Sequence, residues 1–202
     1  MEYMKYGSLR KLAHKGFDLD AIKFIAASIY EGLKILRLNY IVHYDLKPQN
    51  ILIDINGYLK ICDFGISEFN NGNLCRNKGT YGYSAPEVVR KELHNYSCDY
   101  FSFGCCLLTC IMRRSRFSGL GSKKRYRIKE MAQRKVFVPE EIDSKLRSFI
   151  EKLTNLDPFQ RLGHKNIEEI AEHEFLKGFE FESFRRSRKN GIASPLYNLL
   201  KK

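Results

Sequence analysis

Between residues 20 and 38 the apolar side chains Ile22, Ile25, Ala26, Ile29, Leu33 and Leu36 recur three or four positions apart. That spacing places them on one face of a helix, and Asp18 or Asp20 supplies a carboxylate to cap its first turn. The period then changes. Residues 51–54 and 58–62 are short apolar or β-branched runs, separated by Asn56-Gly57, a pair that tolerates positive φ. They predict a β-hairpin that brings residues 43–50 and 63–65 to the same end. Residues 63–83 are rich in Asn and Gly, have no period and predict a loop. From Ser97 the chain becomes helical and apolar, and residues 101–112 have almost no polar face. A helix apolar all round is expected to be the most buried element. Residues 144–155 predict another amphipathic helix, with Leu146, Phe149, Ile150 and Leu153 on one face, and residues 167–173 a shorter one. From Phe179 the chain is aromatic, then basic, then ends in SPLYNLL and two lysines.

A length of 202 residues with 44% hydrophobic content fits one globular domain with a substantial core. The net charge of +12 favours anionic partners: nucleotide phosphates, acidic peptides, nucleic acid or a membrane surface. A solvated basic face, with clusters at residues 123–127 and 185–189, accounts for the charge equally well. Six cysteines occur without CxxC spacing or accompanying histidines, so no zinc site is expected. Cys105, Cys106 and Cys110 sit in the apolar run as small hydrophobes, which suggests reduced thiols and an intracellular, cytoplasmic location. The first residues lack the apolar core of a signal peptide. The longest apolar stretch, residues 100–112, is too short to span a bilayer, so no membrane span is expected.

Three polar residues flank the predicted hairpin. Asp45 and Asn50 lie in HYDLKPQN, and Asp63 opens DFG. Polar side chains often do no more than cap the ends of hairpins. Two acids and an amide brought together also make a hard-oxygen set suited to Mg²⁺. The HxDLKPxN pattern followed by DFG after a hairpin-sized gap is highly specific.

On these residues the chain resembles a eukaryotic serine/threonine protein kinase, along nearly its whole length. MEYMKYGSL is similar to the hinge between the two kinase lobes, HYDLKPQN to the catalytic loop and CDFG to the metal loop. GTYGYSAPE resembles the end of the activation segment, DYFSFG the start of the large buried helix, and DPFQRLG the late arginine loop. AEHEFLKGFEFESF with SPLY is most similar to the AGC group, which includes the cyclic-nucleotide-dependent kinases. The resemblance implies a mainly α C-terminal lobe with a small β-hairpin. It divides the chain into a hinge remnant (1–9), the lobe (10–178) and an AGC-like tail (179–202). It also implies transfer of the ATP γ-phosphoryl to Ser or Thr of a protein or peptide, with ATP and Mg²⁺ as cofactors. Asp45 would accept or orient the substrate hydroxyl proton, and Lys47 would neutralise charge on the transferring phosphoryl. Asn50 and Asp63 would hold Mg²⁺. Thr80 would shape the peptide site, Asp99 would brace the catalytic loop, and Glu87 would pair with Arg161. Met1 to Met4 would line the adenine pocket, with backbone groups of Glu2 and Met4 bonding the base.

The chain departs from the family in three ways. It opens at the hinge-like segment, without a Gly-rich loop, strand lysine or helix glutamate, so a truncated kinase with an absent N-terminal lobe and little turnover of its own is expected. Tyr44 stands where regulated kinases have Arg, and Arg76 stands at the usual phospho-acceptor position. Together they argue against switching by phosphorylation there. Gln49, Gly82 and Thr109 replace the acids with which basophilic AGC kinases hold substrate Arg, while Arg113, Arg114 and Arg116 follow nearby. Two alternatives to an enzyme remain open: a catalytically inactive kinase-like binding module, and a nucleic-acid binder using the basic clusters. Retention of Asp45, Asn50 and Asp63 favours the enzyme. Nothing resembles a nucleic-acid-binding fold, so nucleic acid is not expected as a partner.

Overall fold

Asp18 sets the start of the longest helix. In the computed structural model its carboxylate accepts the Ala21 N–H at 2.8 Å, satisfying one of the helix's free first-turn donors. The structure describes residues 3–70, 72, 74–75, 78–113 and 134–201. In chain order these form α1 (Leu9–Leu12), α2 (Leu19–Leu38), β1 (Ile41–Val42), a 3₁₀ turn (Pro48–Asn50), β2 (Ile51–Ile53), β3 (Leu59–Ile61) and β4 (Glu68–Phe69). Then follow α3 (Pro86–Arg90), α4 (Ser97–Met112), α5 (Ser144–Leu153), a 3₁₀ turn (Pro158–Gln160), α6 (Glu168–Glu172), α7 (Phe181–Lys189) and α8 (Tyr197–Leu200). The fold is thus mostly helical with two small antiparallel sheets, β2–β3 and β1–β4.

The apolar stripe of α2 is buried, and α2 packs against α4 and the β2–β3 hairpin. α4 has no outward face. Ser97 to Cys110 are all buried, because α2 covers one side and α5 the other. Gly104 permits the second contact, since a Cβ there would meet the Thr154 methyl at 2.5 Å. α5 follows the predicted face, with Leu146, Phe149, Ile150 and Leu153 buried and Asp143 as its N-cap.

The hairpin forms where the sequence predicts it, with Ile51 opposite Ile61 and Ile53 opposite Leu59, but Asn56-Gly57 does not use positive φ at both positions. Only Gly57 has positive φ. Asp54 builds the rest, its Oδ1 accepting the N–H groups of Asn56 and Tyr58. The tail closes over this turn: Ser194 donates its hydroxyl to Gly57 O and its N–H to Asn56 O, both at 2.8 Å. The predicted loop at 63–83 contains β4, which pairs with β1. No described helix is long and apolar enough to cross a membrane.

Candidate active site

The β2–β3 hairpin delivers both chain segments that carry acids. Immediately before β2, residues 43–50 are pinned from below by the first turn of α4. The buried Asp99 carboxylate accepts the His43 N–H at 2.7 Å and the Tyr44 N–H at 2.9 Å. These bonds hold Tyr44 at φ +67°, a conformation a tyrosine rarely adopts unaided. Burial pushes the Asp99 carboxyl up, while His43 and the two backbone donors pull the other way.

His43 ties this loop to the strand opposite. Its Nδ1 accepts the Asp45 N–H at 3.2 Å, which leaves Nε2 to donate to Cys62 O at 2.9 Å. Its ring also meets Phe64 edge-on, with centroids 5.1 Å apart. Cys62 in turn donates its N–H to Asn50 O at 2.9 Å. The loops at 43–50 and 62–64 are therefore locked together by backbone and ring contacts.

The polar groups converge on the Asp45 carboxylate. Its Oδ2 receives Lys47 Nζ at 2.6 Å and Asn50 Nδ2 at 3.0 Å, and its Oδ1 receives the Thr80 hydroxyl at 2.7 Å. Lys47 Nζ also reaches Thr80 Oγ1 at 3.0 Å. Thr80 arrives from a distant segment because Gly79, at φ +90°, passes directly over the loop; any Cβ at Gly79 would run into the Tyr44 carbonyl. Lys47 and Asp45 retain 20% and 13% side-chain exposure, so the cluster is shielded yet reachable.

Asp63 stands apart from this network. It is exposed, has φ +64° and makes no hydrogen bond or ion pair among the described residues. Its charge lies close enough to Cys62 to add to the burial that raises that thiol's pKa. Asn50 commits its NH₂ to Asp45, and its side-chain oxygen has no hydrogen-bond partner among the described residues. Asp63 follows Cys62, whose N–H is bonded to Asn50 O, so a carboxylate and an amide oxygen without hydrogen-bond partners among the described residues lie on neighbouring chain segments; hard oxygens of this kind are the type that fits Mg²⁺. Of the residues expected to line an adenine pocket, Met1 and Glu2 lie outside the described residues. Met4 is half-buried; its carbonyl accepts the Gly7 N–H at 3.0 Å.

Arg161 and Glu87 form a fully buried bidentate pair at 2.6 and 3.0 Å. The guanidinium also donates to Ser97 O and Asn155 O, joining α3, α4 and the turn after α5. Gln49 is exposed, Gly82 partly buried, and Thr109 buried with its hydroxyl directed to Cys105 O and Tyr83 Oη. Arg76, Arg114 and Arg116 lie outside the described residues.

The site has one partner that its motifs do not announce. The Tyr44 hydroxyl meets His94 Nε2 at 2.9 Å, and His94 Nδ1 meets Glu92 O at 2.7 Å. Lys78, paired with Glu68, sits 5.9 Å from the Tyr44 ring centroid. A hydrogen-bonded strut thus joins the Asp45 loop to the segment after α3. Nothing in the sequence marks His94, 50 residues away, as its partner.

The protein kinase domain family matches residues 1–176. Mouse (Mus musculus) cGMP-dependent protein kinase 2 is 33% identical over 187 residues, 89% of this chain and 24% of that protein. Rat (Rattus norvegicus) beta-adrenergic receptor kinase 1 is 33% identical over 174 residues, 84% of this chain and 25% of that protein. The chain spans about a quarter of the length of these relatives.

Proposed function

The chain belongs to the protein kinase family, and on that footing we propose that it is the catalytic-loop lobe of a serine/threonine kinase transferring the ATP γ-phosphoryl to a protein hydroxyl. Residues 1–9 are then the hinge, 10–178 the lobe and 179–202 an AGC-like tail. The observation that carries the assignment is the single carboxylate of Asp45, shared by Lys47, Asn50 and Thr80.

Each group has a task set by its position. Asp45 is the acceptor that orients the substrate hydroxyl and takes its proton. Lys47 already spans Asp45 and Thr80, so its ammonium is fixed where negative charge collects during transfer. Thr80 seats the peptide beside Asp45. Asn50 and Asp63 would hold Mg²⁺ through their uncommitted oxygens, and Met1, Glu2 and Met4 would line the adenine site. Magnesium, when bound, supplies neutralisation of the ATP phosphates. The rest is positioning: Asp99, His43 and the Glu87–Arg161 pair hold the acids still. The Gly-rich loop and the lysine that position the ATP phosphates in this family are not among the motifs of these 202 residues, so phosphotransfer by them alone is expected to be slight.

Calorimetric titration with Mg²⁺–ATP tests the assignment. Weak binding is expected, roughly millimolar or about −4 kcal/mol, lost on chelation of magnesium and lost in Asp63→Ala. Absence of magnesium-dependent binding, or binding indifferent to Asp63→Ala, would refute it.

A further inference from the structure

His94 touches both chain segments that meet at Asp45, each with a different part of the residue. Its ring reaches the loop that carries Asp45: Nε2 lies 2.9 Å from the Tyr44 hydroxyl, and the two rings meet edge-on with centroids 5.4 Å apart. Its backbone reaches the segment that carries Thr80: the His94 N–H donates to Leu74 O at 3.0 Å, in an isolated antiparallel bridge. Glu92 O, 2.7 Å from Nδ1, sets the orientation of the ring. His94 and Tyr44 are both buried.

The Thr80 segment rests on Tyr44 as well. Gly79 lies against the Tyr44 carbonyl with no room for a Cβ, and Lys78 Nζ lies 5.9 Å from the Tyr44 ring centroid. The next residue, Thr80, donates its hydroxyl to Asp45 Oδ1 at 2.7 Å. Cys75 adds a further tie, its thiol donating to Lys91 O at 2.6 Å, just after α3. A shift of Tyr44 would therefore be felt by Asp45 on one side and by Thr80 on the other. Tyr44 holds φ +67°, which a residue with a Cβ adopts only where its surroundings impose it. Asp99 fixes its backbone N–H from α4, and His94 fixes the far end of its side chain. Removing the imidazole takes a polar partner from a buried hydroxyl, which loosens that end.

We propose that His94 is a positioning residue for phosphotransfer: through Tyr44 it fixes the loop that carries Asp45, and through Leu74 the segment that carries Thr80. The proposal rests on the kinase assignment, which supplies the reaction that Asp45 and Thr80 serve. The link is made of an imidazole, a phenol and backbone groups, so the two segments meet in the unmodified chain and no added phosphate is needed to seat Thr80.

The test is native-state amide hydrogen exchange on the purified chain, confirmed by intact mass to carry no modification. The reporters are the amides of Tyr44 and Asp45 on one segment, and on the other those of Tyr83 and Ser84, both bonded to Thr80 O. His94→Phe keeps a ring at the site but offers Tyr44 no nitrogen. Exchange is expected to rise about tenfold at all four reporters. Amides of α4 should not change, which separates positioning from a loss of overall stability. Tyr44→Phe should give the same pattern, and the double variant Tyr44→Phe/His94→Phe no more than either alone. His94→Gln, whose amide oxygen can accept the phenol, should restore much of the protection. Unchanged reporters, reporters that rise in step with α4, or additive effects of the two single variants overturn the proposal. The wild-type chain gives a check that needs no variant: the amides of His94, Asp45 and Tyr83 should open as one unit with a common dependence on urea, and separate dependences overturn it. The Mg²⁺–ATP titration separates the two claims. Magnesium-dependent nucleotide binding without the coupled exchange rejects the role of His94 and leaves the kinase assignment intact. Coupled exchange without nucleotide binding supports the link through His94 and rejects the kinase assignment.

Discussion

Glu87→Ala should be among the most damaging single substitutions in the protein, although Glu87 touches none of the groups around Asp45. The mutation removes one carboxylate and strands Arg161, whose side chain is 0% exposed. Arg161 would keep its bonds to Ser97 O and Asn155 O and its place 5.2 Å from the Phe101 ring centroid. None of these supplies a counter-charge. Removing one partner of a buried pair costs about 3–5 kcal/mol. For a chain of this length each kcal/mol moves the melting temperature by about 2–4 °C, so a drop of about 6–20 °C is expected. The double variant Glu87→Leu/Arg161→Met removes both charges together and should recover much of that loss. Thermal melts and urea titrations of Glu87→Leu, Arg161→Met and the double variant give the coupling energy directly. A Glu87→Ala cost below about 1 kcal/mol, the range of solvent-exposed pairs, would refute the reasoning.

Asp99→Ala leaves the buried N–H groups of His43 and Tyr44 without acceptors, at about 1–3 kcal/mol each. Amide hydrogen exchange should accelerate at those two positions first. A pH dependence follows from His173 and His164, both held below the usual imidazole value of 6.5, chiefly by burial. His173 Nδ1 accepts the Phe175 N–H and must be unprotonated to do so. The unfolded chain therefore binds more protons, and stability, complete above about pH 6.5, is lost as pH falls toward the lower folded values. Melting temperatures between pH 5 and 8 should decline on the acid side, and His173→Phe should flatten part of that slope.

Periodicity revealed the long elements. The stripe on α2, the all-apolar α4 and the face of α5 each bury the residues that their spacing singles out, because burial alone sets those patterns. The β1–β4 pairing was not legible, since two residues per strand are too few to establish a period. Nor were α1 and α3, whose four or five residues are held by tertiary contacts rather than by pattern. In the hairpin turn, Asn56-Gly57 marked the location, but the Asp54 carboxylate determined the geometry. The motifs brought out the acids around Asp45 because each carries its own local signature. His43 as a cross-link and His94 as a strut derive their meaning from contacts with remote residues, which a linear pattern does not encode.

The central claim is that Asn50 and Asp63 form a magnesium–nucleotide site beside Asp45. Mn²⁺ in place of Mg²⁺ broadens nuclear resonances near the metal, so a ¹⁵N-labelled chain titrated with Mn²⁺ and ATP reports the location directly. Broadening that requires ATP, centres on Asn50 and on residues 62–64, and disappears in Asp63→Ala is predicted. Broadening centred elsewhere, for example on the basic cluster at residues 185–189, or unchanged by Asp63→Ala, would contradict the account.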